Sequence, residues 1–230
     1  MNREPPGLLP RHALTAAQRH EMFALLAHHF EGVKRGQFER DLAEKNWVAE
    51  IRRDGRLLGF STLLVCEQRF DGRALTAIYS GDTIVAPEAW GSPALARTWI
   101  AAVNYLRGAA PERPCHWLLL TSGFRTYRFL PVFWREFFPR HDAPTPPQAR
   151  RLLDHLACAR YGGSYDAAAG IVRFPHPQRL RALPAARAKD AHVAFFHAQN
   201  PGHADGDELA CLTEISEANL TAAGRRMIAQ

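Results

Sequence analysis

Leu75-Thr-Ala-Ile-Tyr-Ser-Gly-Asp-Thr-Ile-Val85, then Ala86-Pro87, then Glu88-Ala89-Trp90-Gly91-Ser92-Pro93-Ala94 is the stretch that decides the architecture. Its first part is rich in branched and aromatic residues and reads as a strand over 74–85. Pro87 ends it, because proline has no N–H for the ladder. Ser92 is a good helix N-cap and Pro93 a good first helical residue, whose N–H would have no partner anyway. Leu95, Trp99, Ala102, Val103 and Leu106 then recur on one side of a helix over 94–106.

Upstream, Asp54-Gly55 and Asp71-Gly72 each sit between strand-like runs. Asp-Gly suits a tight hairpin turn whose two central residues have positive φ, so strands over 47–53, 57–69 and 74–85 form an antiparallel meander. Thr15 with Gln18 is a capping-box pattern, followed by Met22, Phe23, Leu25, Leu26 and Phe30 at helical spacing. This predicts a helix over 16–30, and Phe38 with Leu42 predicts a second, short one ending before Asn46.

Downstream, Cys115-His-Trp-Leu-Leu-Leu-Thr121 reads as a buried strand. Strand, helix and strand make a right-handed crossover, so this strand lies parallel to the one ending at Val85. If the two splay, their carboxyl ends open a crevice into which the intervening helix points its amino terminus. That is a place for an anionic ligand. A short helix is expected over 126–137. The Pro-rich run Pro139-Arg-His-Asp-Ala-Pro-Thr-Pro-Pro147 is linker-like, dividing a core of residues 1–140 from an extension of 141–230 that packs on or completes it. Within the extension the pattern predicts a helix over 148–161, a hairpin around Asp166 and Gly170, an irregular basic run over 175–189, a strand over 193–197, a turn at Asn200-Pro-Gly202 and a helix from about 217.

The order of two helices, a three-strand meander, a strand ending in Val-Ala-Pro, a glycine-containing loop into a helix, a buried strand and a helix bearing a tyrosine resembles the GNAT superfamily of N-acyltransferases. The fold class is therefore α/β with a mixed sheet. The resemblance covers roughly residues 12–138. Of that family's loop pattern only Gly91 matches, with Glu88 in place of a basic or amide residue and Pro93 in place of a small one. It implies an acetyl-CoA or longer acyl-CoA co-substrate, no metal, and an amine acceptor, either a small molecule or a peptide. An acyl carrier protein as donor and a homodimer are further expectations. By the same resemblance Trp90, Gly91, Ser92 and Ala94 would approach the pyrophosphate. Ile84 and Val85 would pair with the pantetheine arm, and Thr121 and Ser122 would fall at the end of the opposite splayed strand. Tyr127 falls where a tyrosine protonates the departing thiolate, and its competing reading is a buried aromatic.

For the general base, strand alternation puts Ile78, Ser80, Asp82 and Ile84 on one face. A carboxylate there is unusual without a role or partner. Asp82 is preferred over Glu67, which lies near a strand end beside Arg69; its competing reading is a structural ion pair with an arginine. Arg125, Arg128 and Arg135 could meet phosphates or stay solvated. Phe129, Phe133, Trp134, Phe137 and Phe138 read as core or as a cover for the extension, with an acyl-chain pocket as the alternative.

Composition sets the outer limits. In 230 residues, 47% hydrophobic and 23% charged, there is material for a folded domain rather than a disordered chain. The formal charge of +6, with three lysines among 29 basic residues, invites a nucleic-acid reading over 173–189, but no nucleic-acid motif accompanies it. Cys66, Cys115, Cys158 and Cys211 are widely spaced and read as reduced interior thiols. His20, Glu21, His28 and His29 lack the spacing of a zinc helix. Residues 1–11 hold prolines and charges instead of an apolar leader, so the cytoplasm is the default address. Two other functions fit the same residues: a non-catalytic acyl-CoA-binding module and, with less support, a basic nucleic-acid binder.

Overall fold

The computed structural model describes residues 5–90, 92–181 and 190–228. Its strands are β1 (Leu8–Pro10), β2 (Phe30–Glu31), β3 (Trp47–Arg53), β4 (Arg56–Phe70), β5 (Arg73–Val85), β6 (Cys115–Thr121), β7 (Tyr165–Asp166), β8 (Ile171–Val172), β9 (Arg179–Leu180) and β10 (Glu208–Glu214). Its helices are α1 (Ala16–His29), α2 (Arg35–Ala43), α3 (Ala94–Arg107), α4 (Phe124–Tyr127), α5 (Phe129–Phe133), α6 (Pro147–Tyr161), α7 (Ala191–Gln199) and α8 (Ala222–Ile228). Eight strands form one mixed sheet in the order β1-β3-β4-β5-β6-β10-β8-β7, and β2 pairs with β9 apart from it.

The meander forms as its turns require. Asp54, Gly55, Asp71 and Gly72 have φ of 50°, 80°, 47° and 78°, the left-handed values of a tight hairpin turn. The Thr15 hydroxyl accepts the N–H of Gln18 at 3.2 Å, and the Gln18 side chain accepts the N–H of Thr15 at 3.0 Å, which closes the capping box of α1. At α3 the Ser92 hydroxyl accepts the N–H of Ala94 at 3.1 Å, and the helix starts at Ala94 as expected, with Pro93 instead of Ser92 in the cap position.

β5 and β6 pair in parallel from Thr76 with Cys115 to Ser80 with Leu119, and there the pairing stops. Both strands continue, to Val85 and Thr121, and they diverge. The cause is visible on the other edge of β5. Ser61 pairs with Thr83 and Leu63 with Ser80, so Gly81 and Asp82 together oppose Thr62. Two residues against one is a bulge, which bends the strand and increases its twist. A Cβ on Gly81 would lie 2.6 Å from Thr62 Oγ1 and 2.7 Å from Lys45 Cε, so the close approach depends on glycine.

The bulge also corrects the alternation read from sequence. Ile78 packs in the core beneath α3 with Trp99 and Trp117, and Ser80 accepts a hydrogen bond from Trp117 on that same side. Ile84 packs in the opposite core with Met22, Phe38 and Phe60, beneath α1 and α2. The extra residue reverses the parity between them. A third core joins Tyr79, Leu118, Leu153, Leu156 and Ala210 under α6.

Residues beyond the Pro-rich run enter the same sheet. β10 lies antiparallel to β6 from Leu209 with Thr121 to Glu214 with His116. Three elements differ from the sequence expectation. The expected strand over 193–197 is helix α7: Asp190 caps it by accepting from the N–H groups of His192 and Val193, and Val193 and Phe196, three apart, are the residues it buries. The expected helix over 126–137 is two short ones, because Pro131 has no N–H to donate to the carbonyl of Tyr127. The last helix starts at Ala222, where the Thr221 hydroxyl accepts from the N–H of Gly224. Cys115 and Cys211 are buried as expected, whereas Cys66 is half-buried and Cys158 exposed.

Candidate active-site cleft

The divergence of β5 and β6 opens a cleft of about 1450 Å3 running through the sheet. Asp82, Ile84, Val85, Trp90, Ser92, Thr121, Ser122 and Arg125 all line it. Gly91 lies outside the described residues. Ala94 and Tyr127 are not part of the lining.

The register leaves backbone groups free for the opening. Ala86 donates to the carbonyl of Leu58, and in an antiparallel ladder hydrogen-bonded positions alternate, so Val85 turns its N–H and C=O away from β4 toward the gap. The Val85 carbonyl accepts the indole N–H of Trp90 at 2.7 Å. Trp90 is 49% exposed, and the Arg125 guanidinium stacks over its ring at 3.9 Å. This pair spans the mouth from the β5 lip to the β6 lip. Arg125 makes no ion pair among the described residues, and Glu88 pairs with Arg56 at 2.7 Å. The mouth therefore carries an unpaired cation beside the amino terminus of α3.

On the other side of the sheet the cleft holds ionisable side chains of both signs. Asp82 and Glu208 both line it, together with Asp41, Lys45 and Arg160. Burial pushes the Asp82 carboxyl up to about 6, although the nearby Lys45 ammonium pulls it down. Burial, with the Asp82 charge adding to it, pushes Glu208 up to about 7. Lys45 is itself lowered by burial, and it is anchored by donating to the carbonyl of Asp41 at 3.1 Å. Two carboxyl groups titrating near neutrality, one on the bulge and one at the start of β10, can take and return a proton.

Tyr127 does not reach this chemistry. It is fully buried, its ring packs near Phe196 and Phe137, and its hydroxyl donates to the carbonyl of Pro139 at 3.0 Å. Burial raises its pKa strongly. Tyr127→Phe is therefore expected to cost about 1 kcal/mol of stability, the value of one buried hydrogen bond, and to change turnover less than about threefold. Parallel chemical-denaturation and rate measurements check this; a tenfold loss of turnover at unchanged stability would contradict it. Glu67, the less favoured base, pairs with Arg113 outside the cleft.

Sequence reasoning missed Lys45, Glu208, Arg160 and the pair His197 and His203. The last two line the β6 side, with His197 Nδ1 3.0 Å from His203 Nε2, and burial followed by His197 lowers the pKa of His203. Glu208 stood in an Asp-rich turn with no local feature to single it out. Only its pairing two strands away from β5 brings it to Asp82. The basic run over 173–189 is described only to Arg181; there Arg173 pairs with Asp166 and Asp207, Arg179 with Asp205, and Arg181 with Glu31. No described helix is long and apolar enough to cross a membrane.

Helices α1 and α2, the meander, the bulged β5, the crossover α3 and the splayed β6 follow one another in the order read from the sequence. Similar solved structures include a GNAT family N-acetyltransferase (YhbS) of Escherichia coli in complex with CoA, at 14% identity and a TM-score of 0.40 over 58% of this chain and 71% of that one. An aminoglycoside 6'-N-acetyltransferase complexed with coenzyme A matches at 10% identity and 0.41 over 91% and 97%. An acyl-CoA N-acyltransferase of Pseudomonas aeruginosa matches at 17% and 0.38 over 48% and 75%. No protein-family model matches the chain, and neither does any curated protein.

Proposed function

We propose that this chain transfers an acyl group from an acyl-CoA thioester to an amine. The observation that carries the proposal is the two-ended cleft, with Arg125, which makes no ion pair among the described residues, and a helix amino terminus at one mouth, and two half-buried carboxyl groups, one on the bulge and one at the start of β10, at the other. The first end suits a phosphate-bearing carrier and the second suits a cationic acceptor.

In this reading the thioester lies in the gap, where the Val85 N–H is available to its carbonyl oxygen as negative charge develops there. Asp82 and Glu208, ionised together or in turn, take the proton that the attacking ammonium must lose. The amine nitrogen then bonds to the acyl carbon, the C–S bond breaks, and the proton held by the carboxyl pair is available, through solvent, to the departing thiolate. The products are an amide and CoA with a free thiol. For the thiolate to be protonated by Tyr127, that side chain would have to leave the core, so the proposal assigns it no such role.

Arg125 tests the carrier end. Arg125→Ala is expected to weaken CoA binding by about 5- to 20-fold, the loss of one charge-assisted phosphate contact, and to leave acceptor KM unchanged. Calorimetric titration of the protein with CoA and with dephospho-CoA reads this. Absence of any CoA binding by the unaltered protein defeats the proposal. Binding without amide formation across a broad amine panel leaves a carrier-binding module in its place.

A further inference from the structure

At the acceptor end of the cleft one cation stands without a carboxylate. Lys45 follows α2, and its half-buried side chain crosses the bulge of β5 so closely that a Cβ on Gly81 would lie 2.7 Å from its Cε and 3.3 Å from its Nζ. Asp82 is the next residue, and both Lys45 and Asp82 line the cleft, so an ammonium and a carboxyl group flank the same point of the opening. They do not pair. Lys45 makes no ion pair among the described residues, and the hydrogen bond that its Nζ donates goes to the carbonyl of Asp41 at 3.1 Å. The charged groups that face it are Asp41 and Glu44 from its own helix and turn, Asp82 from β5 and Arg160 from α6. Of these, Glu44 is taken up by Arg160, and the Asp41 carboxylate accepts from the Gln37 amide at 2.7 Å.

An ammonium has three N–H donors, and burial without an anionic partner opposes its charge. A ligand carboxylate beside the bulge takes the donors that the Asp41 carbonyl leaves free, in charge-assisted hydrogen bonds. We propose that the acceptor is an amino acid, whose amine lies at Asp82 and Glu208 and whose carboxylate lies on Lys45. This rests on the proposed acyl transfer and adds the acceptor class to it. A short amino acid suits the site because its amine and carboxylate are joined through only a few atoms, just as the groups that receive them flank one step of the bulge. An alkylamine leaves Lys45 with the carbonyl alone. A diamine sets a second cation against Lys45 and Arg160, where like charges repel. The bond changes are those of acyl transfer: nitrogen bonds to the acyl carbon, the C–S bond breaks, and the acceptor carboxylate and Lys45 keep their charges.

The test uses acetyl-CoA as donor and, as acceptors, free L-alanine, L-leucine and L-glutamine, their carboxamides, and isopentylamine, the decarboxylated counterpart of leucine, with thiol release read for kcat and KM. The free amino acids are expected to exceed their carboxamides by about 10- to 100-fold in kcat/KM, the range for a hydrogen bond between charged groups, chiefly through KM. Lys45→Met should bring that ratio to within about threefold of unity. Thermal melting confirms that the variant is folded, and Lys45→Gln serves if it is not. Loss of the ammonium also raises the Asp82 pKa, so the rising limb of kcat/KM should move to higher pH for every acceptor. If Lys45 only tunes Asp82, that movement comes with equal losses for amino acids and carboxamides, and the inference is overturned. A preference of the unaltered protein for carboxamides or isopentylamine overturns it too, and in both cases acyl transfer itself stands. Amide formation from none of these acceptors overturns the inference; the same result across a broad amine panel defeats the acyl-transfer reading as well.

Discussion

Asp82→Asn is expected to lower kcat/KM for amine acylation by about 10²- to 10³-fold, the range for loss of a positioned general base, with CoA affinity unchanged. The argument lies in position and charge. Asp82 sits on the bulge that parts β5 from β6, so it is held at the gap, and burial raises its pKa to about 6. Glu208 faces the same space with a pKa of about 7, partly because Asp82 is near. The two titrate as a coupled pair, so kcat/KM should rise with pH through about 6 to 7 and then level. In Asp82→Asn the neighbouring charge is gone, and the remaining Glu208 limb should move to lower pH. A pH profile that does not move, or a loss confined to KM, would argue against a shared base.

The same groups fix a stability signature of definite sign. Both folded-state values lie above the ordinary carboxylate range, so between about pH 4 and 7 the folded state binds more protons than the unfolded one. Stability from these groups is then complete below pH 4 and falls as pH rises through their folded values. Glu208→Gln, which stays neutral, should therefore raise Tm by several degrees at pH 8, equivalent to roughly 2–3 kcal/mol, and leave it nearly unchanged at pH 4. Equal shifts at both pH values would show that the gain is not electrostatic.

Trp134→Ala is expected to be the most destabilising of the single changes considered, by about 3–5 kcal/mol. Trp134 is 1% exposed, with its ring centroid 5.3 Å from that of Trp117 and 6.0 Å from that of Trp99. Removing it hollows the core on which α3, α5 and α8 converge. Its indole N–H, however, has no hydrogen-bond partner among the described residues, and an unpaired buried donor carries a desolvation penalty. Trp134→Phe deletes that donor along with part of the ring, so its net cost should fall within about 1 kcal/mol of zero. Urea denaturation of the two variants separates the terms. If Trp134→Phe costs as much as Trp134→Ala, the N–H is paired, and the packing account of this core is wrong.

Much of the fold was legible because its signals are local. Asp-Gly pairs dictate their own turns, Thr15 with Gln18 caps its own helix, and Pro87 ends its own strand. The parallel relation of β5 to β6 followed from handedness alone. The two errors differ in cause. The strand expected over 193–197 overlooks the cap at Asp190, a local helix signal. Alternation along β5 failed at Gly81, because an extra residue is invisible until the partner strand is in register.

By itself the sequence determined the hairpins and the crossover, since each depends on groups close together in the chain or on chirality, whereas the opening between residues 85 and 121 was only a condition until the bulge opposite Thr62 was in register. Tertiary structure decided the chemistry of that opening. Tyr127, the last residue of α4, is buried in the core, and the Pro139 carbonyl receives its hydroxyl. Asp82 acquires Lys45 and Glu208 as neighbours because a bulge turns it and a strand from the end of the chain pairs with β6. Proton affinity depends on desolvation and on charges a few ångströms away in space, and those are set only when distant segments pack.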